Sequence, residues 1–104
     1  MEEQQELKGQ VSQEQIDIWK RQHGSVLAIK SNGKICYLKN ATKNVASRAM
    51  SFDESQSMDC AEMLLNNCWL GGCEDFKTND YDFMSIASKL DEVLKYGEAE
   101  LKKL

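Results

Sequence analysis

Four cysteines and a single histidine are the residues of this chain best suited to metal or redox chemistry. The cysteines Cys36, Cys60, Cys68 and Cys73 follow one another at intervals of 24, 8 and 5 positions, and His23 stands apart from them. Structural zinc sites pair cysteines with two to four residues between them, and CxxC redox motifs need two. The spacing therefore predicts no metal or redox site. It favours reduced thiols that serve as small apolar residues.

Carboxylates suited to calcium also cluster in one short stretch, which contains Glu74, Asp75, Asp80 and Asp82. An EF-hand loop requires glycine at its sixth position and glutamate at its twelfth. Counted from Asp75, these positions hold Asp80 and Ile86. We therefore predict that Asn79 or Asp80 caps a helix, with the other carboxylates near the positive end of its dipole.

Catalytic motifs are missing from the sequence as well. It contains no GxSxG elbow and no phosphate-binding glycine loop, and it has one histidine. An enzyme would have to use Cys73 with nearby acids, and the sequence places no base beside that thiol. The prediction is a protein that is not an enzyme, with no catalytic residue, no cofactor and no metal.

Composition and charge restrict the class of partner. The 104 residues are 41% hydrophobic and 29% charged, as is typical of one globular domain. The net charge is −4, and the sequence has no basic stripe of the kind that binds the phosphates of nucleic acid. No apolar run approaches the roughly 18 residues of a membrane helix, and the polar start does not resemble a signal peptide. We expect a cytoplasmic protein whose partners are neither nucleic acid nor membrane.

The first part of the chain divides into a tail and a short helix. Residues 1–11 are polar and rich in glutamate and glutamine, which predicts a flexible acidic tail before a single α+β domain over residues 12–104. Ser12 and Gln15 resemble a capping box that begins a helix ending at Gly24.

A β-hairpin is the clearest local prediction. Two β-rich runs over about residues 25–39 flank Asn32-Gly33, a dipeptide suited to a type I′ turn. If Asn32 and Gly33 form the turn, Ser31 lies opposite Lys34. One face of the hairpin, which we assign to the core, then carries Leu27, Ile29, Cys36 and Leu38. Helices must cover that face because an isolated hairpin is marginally stable in water.

Three helices are predicted to follow and to pack on one face of the hairpin, at about 42–51, 57–70 and 80–103. Gly71-Gly72 provides a stop for the second. The third carries a continuous apolar stripe, formed by Phe83, Ile86, Ala87, Leu90, Val93, Leu94 and Leu101.

Three aromatic residues are candidates for partner binding: Trp69, Trp19 and Tyr37. Tryptophan is enriched in interface hot spots. Trp69 stands beside the predicted helix stop, where the alternative role is to cover the core.

The segments YLK (37–39), EMLLNNCWLGGCEDFKTNDYDF (62–83) and EAELKKL (98–104) carry a resemblance that extends over about residues 11–104. The chain resembles small proteins of phages and prophages of Bacteroides-type bacteria that look like tail-assembly chaperones. Such chaperones bind the tape-measure protein and keep it soluble until the tail tube grows around it. The resemblance implies a phage assembly protein in the bacterial host cytoplasm, with a protein partner and a candidate homo-oligomeric state.

Two functional classes remain open. The first is the assembly chaperone, since an open hairpin edge can add a partner strand and apolar helix faces can shield a helical client. The second is a structural virion component, such as a tail completion or connector subunit.

Overall fold

The computed structural model describes residues 7–97 and 99–104, which form an α+β fold around one antiparallel sheet of order β1-β2-β3. The strands are β1 (Leu27–Ser31), β2 (Lys34–Leu38) and β3 (Trp69–Gly72). The helices are α1 (Gln13–His23), α2 (Lys43–Met50), α3 (Ser57–Cys68), α4 (Asp75–Thr78) and α5 (Asp80–Ile86), with 3₁₀-helices at Glu54–Gln56 and Ala87–Leu94. The predicted α+β class is confirmed, with a third strand added to the hairpin.

The hairpin has the predicted register. Ser31 lies opposite Lys34 across a turn in which Asn32 and Gly33 have φ angles of 55° and 75°, as a type I′ turn requires. On the face assigned to the core, the two β2 residues are fully buried and the two β1 residues are half-buried. The core lies between this face and the helices α3, α5 and Ala87–Leu94.

The prediction that α3 continues to residue 70 and stops at two glycines is wrong. The helix ends at Cys68, and Trp69–Gly72 pairs with β2 so that Gly72 lies opposite Cys36. Strand β2 has a second side of main-chain donors and acceptors that must find partners when buried. The glycines suit this position because they let two backbones approach closely.

Helix α1 covers the opposite face of the sheet. Ser12 caps it by accepting the N–H of Gln15, which is one half of the predicted capping box. The ring of Trp19 lies 5.6 Å from that of Tyr37, and its edge lies over Gly71, where an added Cβ would come within 2.9 Å. Strand β2 is therefore buried on both faces.

The last predicted helix is shorter than expected and changes type. Helix α5 ends at Ile86, and Ala87–Leu94 is a 3₁₀-helix with its buried residues on the predicted stripe. The described residues beyond Leu94 are not helical, and Leu101 is 99% exposed, so the prediction of a helix to residue 103 is wrong. A short helix that packs on nothing is marginal in water, and Gly97 has a positive φ of 102°.

Part of the predicted N-terminal tail is attached to the sheet. Residues 1–6 lie outside the described residues, but the main chain of Lys8 donates to Gly33 and accepts from Ile35, both at 3.0 Å. This segment continues the sheet at the point where β3 ends. Among the described residues, no helix has both the length and the apolarity needed to cross a membrane.

Candidate functional site

Strand β1 forms an edge of the sheet with unpaired main-chain groups. On the other side of β2, the N–H and C=O of Ile35 bond to Lys8 and Cys73, so they point away from β1. Lys30 is the pairing partner of Ile35. In an antiparallel ladder, when the main-chain N–H and C=O of one residue point away from the neighbouring strand, those of the residue opposite it also point away. The main-chain groups of Ala28, two residues earlier on the same strand, point outward for the same reason. Within the described residues, neither residue has a main-chain partner on that side.

A groove of about 520 Å³ runs along this edge. Strand β1 forms one wall, and the Ala87–Leu94 3₁₀-helix contributes Val93 and two charged residues to the other. Leu27 and Ile29 are half-buried and supply apolar surface. An open main-chain edge beside an apolar groove is the arrangement that accepts an extended peptide as an added strand.

The charged residues at the rim of the groove are Lys30, Lys89 and Glu92. The Glu92 carboxylate accepts a hydrogen bond from Lys95 at 3.1 Å, which raises the pKa of Lys95 above its ordinary range. Both rim lysines are exposed, and neither forms an ion pair with any residue that the structure describes. The rim therefore presents two free cations and one occupied carboxylate.

A second polar cluster joins the hairpin turn to the acidic stretch. Lys34 forms ion pairs with Asp82 and with Asp75, the latter at 3.2 Å, and Lys8 reaches Asp75 at 3.1 Å. The amide of Asn32 also donates to Asp82, whose side chain is 4% exposed. The cluster holds the turn, the N-terminal segment and the start of α5 together. Asn79 caps α5, as predicted.

The cluster shifts the ionisation of its members. The hydrogen bond from Lys34 lowers the pKa of the Asp82 carboxyl, and hydrogen bonds from Lys8 and then Lys34 lower the pKa of Asp75. The bonds to Asp82 and Asp75 raise the pKa of Lys34. Sequence reasoning missed Lys34 because it lies 48 positions before Asp82.

The cluster predicts a pH window for stability. The lowered carboxyl pKa values give stability that is present above the ordinary value of 3.8 and lost as pH falls through the folded-state values. The raised pKa of Lys34 gives stability that is present below 10.5 and lost as pH rises through its folded-state value. Urea unfolding across pH should show Asp82→Asn less stable than wild type near neutrality, with a smaller loss on acidification. Asp59→Asn, an exposed control, should keep the wild-type acid slope, and equal slopes for the two variants would contradict this role.

The thiols are placed for packing. All four cysteines are free, and three of them are buried. Burial raises the pKa of the Cys36 thiol to about 12 and raises that of Cys68, which opposes formation of a reactive thiolate. Cys73 is 4% exposed. No group of three or more metal-ligating side chains occurs within residues 7–97 and 99–104.

The three aromatic candidates do not form one surface. Tyr37 is 3% exposed, with Trp19 over its ring and its hydroxyl accepting the Val11 N–H at 3.3 Å, so burial removes it from the accessible partner-binding residues. Trp69 is half-buried against the core, and the ammonium of Lys77 lies 4.6 Å from its ring centroid. None of the three lines the groove beside β1.

Comparison with protein-family models, curated proteins and solved structures finds no match to this chain.

Proposed function

We propose that this chain is a non-enzymatic protein-binding module that accepts an extended segment of a partner protein as a fourth strand beside β1. The observation that carries the proposal is the coincidence of outward main-chain groups at Ala28 and Lys30 with a groove along the same edge. Either feature alone is common on protein surfaces. Together they supply the two components of strand addition, which are hydrogen bonds for affinity and a surface for alternate side chains.

The length of the edge suits a short segment. The five residues of β1 span roughly 17 Å. A bound strand would exchange hydrogen bonds with Ala28 and Lys30, and every second side chain would contact Leu27, Ile29 and Val93. The side of β2 that faces away from β1 cannot accept a strand, because β3 and Lys8 already pair with it.

The resemblance to phage tail-assembly chaperones supports a biological setting for this activity. We place the protein in the cytoplasm of a bacterial host, where it would hold a tape-measure protein before the tail is built. A structural virion component is the second candidate, since a connector subunit could use the same edge to join a neighbour.

Ala28→Pro should strongly weaken partner binding and preserve the fold. Proline removes the outward N–H, and it is tolerated on an edge strand where that N–H takes no part in the ladder to β2. Affinity capture with tagged protein from phage-producing cells, read by mass spectrometry, should recover a tape-measure protein with wild type and at least about tenfold less with the variant. Ala28→Ser keeps the N–H and a side chain of similar size, and it should capture as wild type does.

Affinity capture, combined with an analysis of purified virions, distinguishes the assembly chaperone from the structural virion component. A captured tape-measure protein, with this chain missing from purified virions, supports the chaperone. Stoichiometric presence in virions would make the chain a structural subunit. Undiminished capture by a folded Ala28→Pro variant would show that the β1 edge is not the binding site.

A further inference from the structure

The charge pattern at the β1 edge restricts what can bind there. Side chains alternate along β1, so Leu27 and Ile29 face the core side, while Ala28 and Lys30 share the opposite face. Lys30 is exposed and unpaired among the described residues, and the small side chain of Ala28 leaves space beside it. A strand added at this edge would place a side chain directly next to the Lys30 ammonium.

A second cation borders the same path from the opposite wall. Lys89 lies on the Ala87–Leu94 3₁₀-helix, is exposed, and forms no ion pair within the described part of the chain. Among the residues that the structure describes, Glu92 is the only carboxylate that lines the groove, and it already bonds Lys95 at 3.1 Å. The incoming strand therefore passes between two lysines whose charges no carboxylate in the described part of the chain neutralises.

A second copy of the chain would pair the main-chain groups of the β1 edge, but it would not neutralise the two lysines. Two β1 strands paired antiparallel, with Ile29 opposite its own copy, would match the outward groups of Ala28 with those of Lys30. The two Lys30 side chains would then be diagonal neighbours on one face, roughly 7–8 Å apart at their backbones. Lysine on an edge strand is a common protection against such self-pairing.

We infer that the groove selects an extended partner segment in which apolar and acidic residues alternate. The inference rests on the proposed strand-addition function and specifies its ligand. Apolar side chains would contact Leu27, Ile29 and Val93, and acidic side chains on the other face would pair with Lys30. Lys89 would attract further negative charge at the rim.

The test uses fluorescent peptides of about nine residues in which valine alternates with glutamate, threonine or lysine. Anisotropy titrations with the full chain should give a dissociation constant roughly three- to tenfold lower for the glutamate peptide than for the threonine peptide. The lysine peptide should bind more weakly than both. About 0.5 M salt should reduce the preference for glutamate because it screens exposed charges.

Lys30→Glu should reverse the order of the glutamate and lysine peptides. Lys43→Glu changes the net charge equally on an exposed position of α2 and should leave the order unchanged. An unchanged order in Lys30→Glu, or no binding of the glutamate peptide to wild type, would overturn the inference.

Ala28→Pro distinguishes failure of this inference from failure of the proposed function. Loss of all peptide binding in that variant, with equal affinities for the three peptides in wild type, would retain strand addition and overturn the acidic preference. Unchanged binding in a folded Ala28→Pro variant would reject the β1 site itself. A wild-type dimer in sedimentation that Ala28→Pro dissociates would identify a second copy as the occupant and overturn the acidic ligand.

Discussion

Replacing Gly72 with alanine is expected to lower the free energy of unfolding by about 2–6 kcal/mol, enough to unfold a small domain of ordinary stability. The residue has a φ of 126°, which L-residues rarely adopt. A Cβ there would lie 2.5 Å from the Cα of Cys36 and 2.7 Å from the carbonyl oxygen of Ile35. Both contacts are with backbone, so no side-chain rotation can relieve them, and β2 and β3 would have to separate.

Gly97→Ala is the matched control for this substitution. Gly97 also has a positive φ, 102°, but an added Cβ there would meet no atom of the described residues within 4 Å. The control should cost only the backbone strain, about 1 kcal/mol. Urea denaturation of both variants measures the difference. Equal losses would show that the close approach of β2 and β3 does not constrain this position.

The hairpin was predictable because its information is local. Asn32-Gly33 determines the turn, the turn determines the register, and the register determines which side chains share a face. Helix caps at Ser12 and Asn79 were predictable for the same reason, since each side chain bonds a main-chain N–H three residues later.

Strand β3 was not predictable because its pairing partner lies more than 30 positions earlier. In isolation, two glycines after an apolar helical pattern indicate a helix stop. Only the unsatisfied second edge of β2 shows that these residues belong to the sheet. The ion pair of Lys34 with Asp82 has the same character, because neither residue type indicates a partner so distant in sequence.

The candidate site was predictable in kind but not in position. Sequence reasoning indicated that an open hairpin edge could add a strand, which is a property of any two-stranded unit. Which edge stays open depends on where β3 and Lys8 attach, and both attachments are non-local. The far wall of the groove is a 3₁₀-helix, whereas the apolar period predicted a regular helix.

Replacing Leu90 with alanine should lower the free energy of unfolding by about 2–5 kcal/mol, because Leu90 is fully buried and its truncation leaves a cavity in the core. Leu101→Ala is the matched control, since the side chain is 99% exposed and the chemical change is identical. The sequence stripe assigns both leucines to the core, whereas the structure separates them, so the control should change stability by less than about 0.5 kcal/mol. Thermal unfolding of the two variants decides between these descriptions. An unchanged Tm for Leu90→Ala would contradict the packing of the 3₁₀-helix on α3, and equal losses would restore the continuous helix to residue 103.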